Sequence, residues 1–277
     1  MEFIHNWVVP QDALAPAWAY CLAALGALLC ISVSKGGFGV GAGALSVPLL
    51  LQVAKLPFVV GLWLPVLLAC DVATIRCYPQ QWSPRSIRKL APWTLLGVLA
   101  AAGLLFLLSH LVDEAATKRL AAALNLTVAV LAIGFVVLAV WPRPSPARAA
   151  WRPGCPMSAL LGVLTGVSST LAHAAGPLVL MYLLPQKLET NCFVGTLARF
   201  FLCLNALKVP FLVAAGVLTL TTLRYGIWLM LLAPFGVWLG AWLTRSLSPI
   251  WFLRLVHIFM VVVALKLGYD ALRSFAG

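Results

Sequence analysis

The sequence predicts an all-α membrane protein, a polytopic helical bundle of two inverted repeats that each contain a broken or re-entrant helix pair. Three observations predict it: a strongly apolar composition, ten apolar segments along the chain, and glycine-rich interruptions at matching places in the two halves. With 63% hydrophobic and only 9% charged residues, the chain lies far from the composition of a soluble domain. A soluble core cannot absorb so much apolar surface, so we expect the chain to lie in a lipid bilayer.

The charged and sulfur-containing residues exclude several classes of protein. Although the net charge is +12, the basic residues lie in short polar loops, not in the single stripe that would bind nucleic acid. No pair of the seven cysteines has CxxC spacing, so we predict no metal site, disulfide or cofactor. No basic residue precedes Lys35, so the first apolar run lacks a secretory signal's positive region and should stay in the mature protein. Five cysteines lie in apolar runs as small buried hydrophobes: Cys21, Cys30, Cys70, Cys192 and Cys203.

Two of the apolar segments, residues 42–54 and 176–185, are too short to cross a membrane. A transmembrane helix needs about 20 residues to span roughly 30 Å of hydrocarbon, so we interpret these two as parts of broken helices or re-entrant hairpins. Interrupted helices at matching places in two repeats typically mark the substrate site of a transporter. The other predicted segments are residues 15–34, 58–76, 91–109, 118–141, 157–171, 192–215, 225–244 and 251–272.

The chain divides near its midpoint at a basic, proline-rich linker. Residues 142–156 contain five prolines and three arginines, so we predict a first transmembrane repeat at 1–141, a cytoplasmic linker, and a second transmembrane repeat at 157–277. The two halves align at an offset of 133 or 134 residues. The aligned pairs are Gly43 with Gly176, Gly61 with Gly195, and Asp71 with Asn205.

Basic residues predict the orientation of the chain in the membrane. Because positively charged loops tend to stay on the cytoplasmic side, we expect three basic loops to be cytoplasmic and both termini to lie outside. The two repeats then have opposite orientations, which is common in carriers that work by alternating access. The basic residues of these loops are Arg76, Arg85, Arg88 and Lys89 in the first, Arg143, Arg148 and Arg152 in the second, and Arg245 and Arg254 in the third.

The two glycine-rich interruptions form the predicted anion site. Residues 34–43 read SKGGFGVGAG, and residues 173–177 read HAAGP. Where a helix begins inside the membrane, its first N–H groups have no partner and its dipole is positive, so a small anion can bind there. Alternatively, the glycines permit close packing of helices. The candidate binding residues of these two segments are Gly36, Gly37, Gly41, Gly43, Gly176 and Pro177.

Ionisable residues in or beside the apolar segments are further candidates, since a charge in a bilayer is costly unless it is paired or hydrated. Lys35 either attracts the anion or anchors its loop at the membrane surface. Lys208 is either a binding charge or, as the alignment slightly favours, the ion-pair partner of Asp71. Arg199 could snorkel, form a structural pair or contact substrate, and the sequence does not rank these roles. His173 could couple proton movement to anion movement or cap the broken helix.

Several short motifs follow one another along the chain. They are SKGGFGVGAG with Pro48, Asp71 with Arg76, Tyr78 and Trp82, HAAGP, LPQ at 184–186, FVGT at 193–196, and Phe200, Phe201, Asn205 and Lys208. In this order they resemble the sulfite exporter TauE/SafE family over essentially the whole chain. The resemblance implies a bacterial inner-membrane carrier of small sulfur-containing or carboxylated anions, often an exporter, and it adds Thr196 to the candidate substrate-binding residues. Leu178, in place of a second proline, and Arg199, in place of an apolar residue, depart from the pattern and bear on the substrate.

The predicted function is therefore transport of a small anion by a secondary carrier. An anion channel with the same site is the alternative, and its flux would not respond to a proton gradient beyond the effect of voltage. An enzyme is not predicted, because the chain has no nucleophile motif, nucleotide-binding loop or metal-ligand spacing. The expected partners are the lipid bilayer and the anion, and coupling to protons and formation of a homo-oligomer stay open.

Overall fold

The structure, a computed structural model, describes residues 10, 14, 16–37, 46–51, 53–54, 56–111, 154–171 and 175–276, with some positions between 123 and 137. Within these residues the chain forms helices and no strands, which confirms the predicted all-α fold. A 3-10 turn, Leu184–Gln186, follows the sixth of these helices. In chain order the helices are α1 (Ala17–Gly37), α2 (Ser46–Leu51), α3 (Leu56–Cys77), α4 (Pro84–Leu111), α5 (Cys155–Leu171), α6 (Ala175–Leu183), α7 (Thr190–Ala214), α8 (Leu220–Ser246) and α9 (Pro249–Ala276).

Five of the described helices are long and apolar enough to cross a membrane, namely α1, α3, α7, α8 and α9. The protein is therefore a multi-pass membrane protein. The predicted short segments, 42–54 and 176–185, contain the short helices α2 and α6, which have six and nine residues. The predicted segment 118–141 lies largely outside the described residues, although the described positions between 123 and 137 are helical.

The loop between α7 and α8 is short because both of its ends carry strong sequence signals. Gly216 has a φ of +66°, which glycine adopts without strain, and hydrogen bonds around it close the last turn of α7. Three residues later, Thr219 and Thr222 form a capping box in which each side chain accepts a hydrogen bond from the other's backbone N–H. The chain can therefore leave α7 and enter α8 within five residues.

The chain forms two compact units. The first contains residues 1–82 and 194–252, and the second contains residues 83–193 and 253–277. Each unit thus takes segments from both sides of the predicted linker. The predicted repeats are defined by similarity between segments of the sequence, whereas the two units are defined by contacts in space. The division into two repeats therefore stays a prediction.

In the first unit, α8 packs closely against α1 and α3. The contact with α1 depends on glycines, because a Cβ atom added at Gly36 would collide with the backbone of Val237, and one added at Gly240 with the backbone of Val33. Glycines at such contacts let two helix backbones approach closely, as is common in membrane bundles. Buried side chains of the same unit include Tyr20, Leu50, Leu62, Val66 and Leu229.

Helices α3 and α7 run antiparallel in the first unit. Near the start of α3, Gly61 faces the backbone of Val217, just beyond the end of α7. Near the start of α7, Gly195 faces the backbone of Gln81, just beyond the end of α3. The start of each helix therefore lies beside the end of the other, and the two glycines that align in sequence make reciprocal contacts.

In the second unit, α4 packs against α5 through another set of glycines. A Cβ atom added at Gly97 would collide with the backbone of Val163, and one added at Gly166 with the backbone of Thr94. The small residues of α4 and α5 therefore serve close packing of these two helices.

The LPQ motif has a structural role in the second unit. Ser86 Oγ, in the first turn of α4, donates to Gln186 Oε1 at 2.7 Å, and Gln186 Nε2 donates to the Tyr182 carbonyl at 2.9 Å. Tyr182 Oη in turn donates to the Ser86 carbonyl at 3.1 Å. This ring of bonds fixes the turn after α6 against the start of α4.

Candidate functional site

A buried ion pair joins α1 and α3 in the first unit. Lys35, in the last turn of α1, donates through Nζ to Oδ1 of Asp71. The other carboxylate oxygen, Oδ2, accepts a hydrogen bond of 2.9 Å from Nδ2 of Asn205 in α7. Asp71 is 1% exposed. Both of its oxygens are bonded, as a carboxylate buried in a membrane helix requires.

A second buried lysine belongs to the same region. Lys208 follows Asn205 by three residues in α7, so the two lie on one side of the helix, and Lys208 is buried. A positive charge on Lys208 and the charge of Lys35 repel each other. The ring of Phe201 provides an aromatic face 5.4 Å from Nζ of Lys35. We call these five residues, Lys35, Asp71, Phe201, Asn205 and Lys208, the buried ion cluster.

The ion-pair partner that the structure shows for Asp71 is Lys35, whereas the sequence slightly favours Lys208. The alignment of the two halves matches Asp71 in α3 with Asn205 in α7. It gives no information about α1, whose last turn places Lys35 beside Asp71. Asp71 is the only acidic residue in segments 13–82 and 194–252. The buried ion cluster therefore contains two lysines and one carboxylate.

Tyr78 connects the ends of the same two helices. Its buried hydroxyl, just beyond α3, donates to the carbonyl of Gly36 at 3.0 Å. A carbonyl in the last turn of α1 thereby gains the partner that helix geometry denies it. Burial raises the pKa of Tyr78 to about 12, so the phenol is a neutral donor at physiological pH.

Arg199 holds the backbone that follows α3. Its Nη1 donates to the carbonyl of Tyr78 at 3.1 Å, and its Nη2 donates to the carbonyl of Pro79. The guanidinium also lies over the ring of Trp82, 5.1 Å from its centroid. Among the roles that the sequence leaves open for Arg199, the structure thus shows a structural one, because the planar guanidinium satisfies two carbonyls beyond a helix end.

The first two glycines of the SKGGFGVGAG segment serve helix packing. Gly36 faces the backbone of Val237, as described above. A Cβ atom added at Gly37 would lie 2.7 Å from Oγ1 of Thr244 and 2.8 Å from the carbonyl oxygen of Gly240. These contacts fit the alternative role of the glycines, which is close packing of helices. A direct role of Gly36 and Gly37 in substrate binding stays a prediction.

The remaining candidates from the sequence are found in both units. Thr196 is buried in α7, in the first unit. Gly176 and Pro177 lie in the first turn of α6, in the second unit, where a proline interrupts no helical hydrogen bond. Substrate binding by these residues also stays a prediction. Three further candidates lie outside the described part of the chain: Gly41, Gly43 and His173.

The buried ion cluster contains hydrogen-bond donors and one carboxylate acceptor. Ammonium and amide N–H groups donate strong hydrogen bonds to the oxygens of an anion, and Asp71 is an acceptor of the same kind. Among the residues that the structure describes, no group of three or more His, Cys, Asp or Glu side chains is placed to hold a metal ion. All seven cysteines are free thiols.

A buried charged cluster in a multi-pass helical protein is typical of one class of protein, the membrane transporters. A family model described as Sulfite exporter TauE/SafE matches residues 23–267. The chain therefore belongs to the sulfite exporter TauE/SafE family, which confirms the resemblance seen in its motifs. This is a family of membrane transporters and not of enzymes, and membership implies transport of sulfur anions. No curated protein and no solved structure matches the chain.

Proposed function

We propose that this protein is a secondary transporter that exports small sulfur-containing or carboxylated anions, such as sulfite or a short sulfonate, across the bacterial inner membrane. The observation that carries the proposal is the buried ion cluster. Two lysines, Lys35 and Lys208, are buried with a single carboxylate, Asp71, in helices long enough to span the membrane. The anion binds at this cluster, because buried ammonium groups there can replace the water that it loses.

An exchange of partners on Lys35 describes how the anion binds and leaves. A sulfite or sulfonate oxygen and the carboxylate of Asp71 are acceptors of the same kind, so the substrate can take the place of Asp71 on the ammonium group. When the substrate leaves, Asp71 pairs with Lys35 again, so neither charge of this pair stays uncompensated. Asn205 holds the second oxygen of Asp71 and keeps the carboxylate within reach. The transporter thereby gains two states of similar free energy, as a carrier requires.

Contacts between equivalent residues support the inverted repeat that this mechanism uses. Asp71 and Asn205 align in the two halves and contact each other, and a residue meets its own equivalent only near a two-fold axis. Gly61 and Gly195 align as well and make reciprocal contacts. The antiparallel course of α3 and α7 is the one that repeats of opposite orientation require. The proposal accordingly keeps repeats at residues 1–141 and 157–277, a cytoplasmic linker at 142–156, and both termini outside.

The interruptions and a coupling proton complete the proposal. Backbone N–H groups near Gly41, Gly43, Gly176 and Pro177 bind anion oxygens, since glycine leaves the backbone open to a ligand. His173 moves a proton with the anion, because an unperturbed imidazole titrates near pH ~6.5. The support for these two parts is the sequence of the interruptions.

Uptake into proteoliposomes tests the proposal. The purified chain is assayed with sulfite, sulfate, methanesulfonate and acetate, each with and without a pH gradient at fixed voltage. We expect saturable uptake of sulfite or methanesulfonate that the pH gradient accelerates. Lys208→Gln should raise KM at least about tenfold, because it removes a charge-assisted contact with the anion. Lys266→Gln is the control, since Lys266 pairs with Asp270 at a partly exposed position and should leave KM unchanged.

Each outcome of this assay decides a part of the proposal. Uptake that does not respond to the pH gradient at fixed voltage would favour the anion channel and contradict the proton-coupled carrier. A normal KM in Lys208→Gln would remove the buried ion cluster from the substrate site. No uptake of any of the four anions would contradict the proposed substrate class.

A further inference from the structure

Helices α1 and α8 run in the same direction in the first unit. Ser32 in α1 lies beside Gly236 in α8. Five residues further along α1, Gly37 lies beside Thr244, which is eight residues further along α8. Because the two contacts advance together, the starts of both helices lie at one end of the unit, and the last turn of α1 with the buried ion cluster lies towards the other.

Two buried polar atoms near the starts of these helices have no hydrogen-bond partner among the residues that the structure describes. They are Oη of Tyr20, in the first turn of α1, and Nε1 of Trp228, the ninth residue of α8. The phenol of Tyr20 interacts electrostatically with that of Tyr225, which lies one helical turn before Trp228. Tyr20 and Trp228 also pack in the same hydrophobic core, so both atoms belong to one region of the first unit.

Packing alone does not explain these two polar atoms, because a buried polar group without a partner lowers the stability of a fold. Tyrosine and tryptophan near a membrane surface usually direct their polar atoms to water or headgroups, whereas Tyr20 is 0% exposed. Elsewhere in the unit, Nε1 of the buried Trp63 donates to Oγ of Ser46 at 2.9 Å. An indole N–H can only donate, so the partner that Trp228 requires is a hydrogen-bond acceptor.

A basic residue lies beside this region. Arg224 precedes Trp228 by four residues, so the two share one side of α8, and its guanidinium lies 6.0 Å from the centroid of the Tyr225 ring. Arg224 is exposed. The predicted orientation places the start of α8 outside, where the positive-inside tendency does not account for an arginine. Its positive charge favours an anion as the acceptor.

We propose that Arg224, Tyr20 and Trp228 form a second binding site for the transported anion, at the outer end of the first unit. This inference rests on the proposed function and on its predicted orientation. Tyr20 lies fifteen residues before Lys35, so the second site is about 22 Å from the buried ion cluster along α1. Two neutral donors and an exposed arginine hold an anion less tightly than buried charged groups do, which lets an exported anion leave from this site.

Transport kinetics in membrane vesicles test this inference. Tyr20→Phe and Trp228→Phe each remove one polar atom and keep an aromatic ring. In right-side-out vesicles, which present the loop before α8 to added sulfite or methanesulfonate, KM should rise about ten- to a hundredfold, the usual effect of losing a hydrogen bond to a charged group. In inverted vesicles the anion enters from the side of the buried ion cluster, and KM should stay within about threefold of the wild type.

Ionic strength gives a separate measurement for Arg224. In right-side-out vesicles, Arg224→Gln should raise KM several-fold at low salt, and the difference from the wild type should shrink at about 0.5 M salt, because exposed charges are screened. A rise in KM that does not depend on salt would contradict a role for the charge of Arg224.

Two variants that remove bonded polar atoms are the matched controls. Trp63→Phe and Tyr182→Phe each lose a hydrogen bond within the fold, so they should unfold at lower temperature in detergent and keep KM within about twofold of the wild type. Tyr20→Phe should unfold at the wild-type temperature or above it, because it loses no hydrogen bond of the fold. For the same reason, Trp228→Phe should lose less stability than Trp63→Phe.

The outcomes separate this inference from the proposed function. Transport by the wild type with an unchanged KM in both Tyr20→Phe and Trp228→Phe would overturn the second site and leave the proposed function intact. Equal rises of KM in the two kinds of vesicle would also overturn it, because they would remove its outer position. A lower unfolding temperature of Tyr20→Phe at constant KM would identify a structural water in place of the anion. Failure of the wild type to move either probe would refute the proposed function itself, and this inference with it.

Discussion

Asp71 shows how a single buried carboxylate is stabilised inside a membrane helix. One oxygen accepts from Lys35 and the other from Asn205, so the charge is paired and its hydrogen-bonding capacity is used. Removing one partner of a buried pair leaves the other charge uncompensated, which typically destabilises a fold by about 3–5 kcal/mol. A charge on Lys208 would add to this effect, because it and the charge of Lys35 repel each other.

We predict a strong energetic coupling between Asp71 and Lys35. Asp71→Asn should lower the free energy of unfolding by several kcal/mol, on the order of 3–5. The double variant with Lys35→Gln should lose less than the sum of the two single variants, with a coupling of about 1–3 kcal/mol, because no lone charge remains from this pair. Denaturant unfolding of all three variants in detergent gives the coupling energy directly.

Asp270→Asn is the matched control for this double-mutant cycle. Asp270 pairs with Lys266 four residues away on α9, and the carboxylate side chain is 44% exposed. Pairs of this kind contribute about 0.3–0.5 kcal/mol, so the control should unfold almost as the wild type does. Additive effects of Asp71→Asn and Lys35→Gln would show that the ion pair adds no stability, and the exchange of partners on Lys35 would lose its basis.

The pairing of Asp71 also marks the limit of what the sequence predicts about single side chains. Alignment of the halves matches Asp71 with Asn205, and the structure places these two in contact. It does not reveal Lys35 as the cation, because the contact depends on where the last turn of α1 lies in space. A usable signal existed, since an isolated carboxylate in an apolar segment needs a cation and Lys35 stands at the end of a neighbouring apolar segment. Nothing comparable in the sequence indicates that the ring of Phe201 lies beside Lys35.

Pairs of helices in this protein pack closely where one or both helices have a glycine at the contact. In the first unit, the last turn of α1 lies against the C-terminal part of α8, and both contribute glycines to the contact. In the second unit, α4 and α5 repeat this pattern. Without a hydrophobic driving force between helices in lipid, such close packing supplies much of their association.

We predict that Gly36→Val destabilises the fold and not only substrate binding. A Cβ atom at Gly36 would overlap backbone atoms of Val237, which cannot move aside as a flexible side chain can. Overpacking of a close contact typically destabilises by about 1–3 kcal/mol, and the loss here should reach or exceed the upper end. The measurements are the yield of monodisperse protein and its unfolding temperature in detergent.

Gly103→Ala tests the same kind of change at an open helical position. Gly103 lies in α4, and nothing lies within 4 Å of the place that its Cβ would take. We expect this variant to unfold at the wild-type temperature or slightly above it, since alanine favours a helix over glycine by about 1 kcal/mol. If Gly36→Val folded as well as Gly103→Ala and lost only transport, the glycine would belong to the substrate site and not to the packing of α1 on α8.

The sequence predicts helices better than it predicts the contacts between them. The short segments 42–54 and 176–185 are recognisable from their length and their glycine-rich flanks, and the structure has short helices within both. Whether Gly36 and Gly37 bind substrate or pack against α8 is not visible in a sequence, because both roles require the same bare backbone. The packing partner, seven helices further along the chain, is defined only by the tertiary structure.

At the scale of the whole molecule, contacts between residues that align in the two halves bear on the predicted repeat. Asp71 and Asn205 align and contact each other in the second halves of α3 and α7, and Gly61 and Gly195 align and make reciprocal contacts at opposite ends of these helices. If the two halves are repeats, the loop after α3 is equivalent to the loop after α7. If the repeats are inverted, these two loops lie on opposite sides of the membrane.

Labelling of single cysteines in these two loops tests the inverted topology. Gln80 and Ala215 are both exposed, and they lie within one residue of equivalent positions in the two loops. In a background that retains only Cys155 or a single introduced cysteine, Gln80→Cys should react with a membrane-impermeant thiol reagent only after the cells are permeabilised, because basic residues surround its loop. Ala215→Cys should react in intact cells from which the outer membrane has been removed.

Cys155, which is exposed at the end of the predicted cytoplasmic linker, is the reference for the inner side. Reaction of Gln80→Cys and Ala215→Cys from the same side would contradict the inverted repeat, since an antiparallel pair of spanning helices with equivalent ends cannot place both loops on one face.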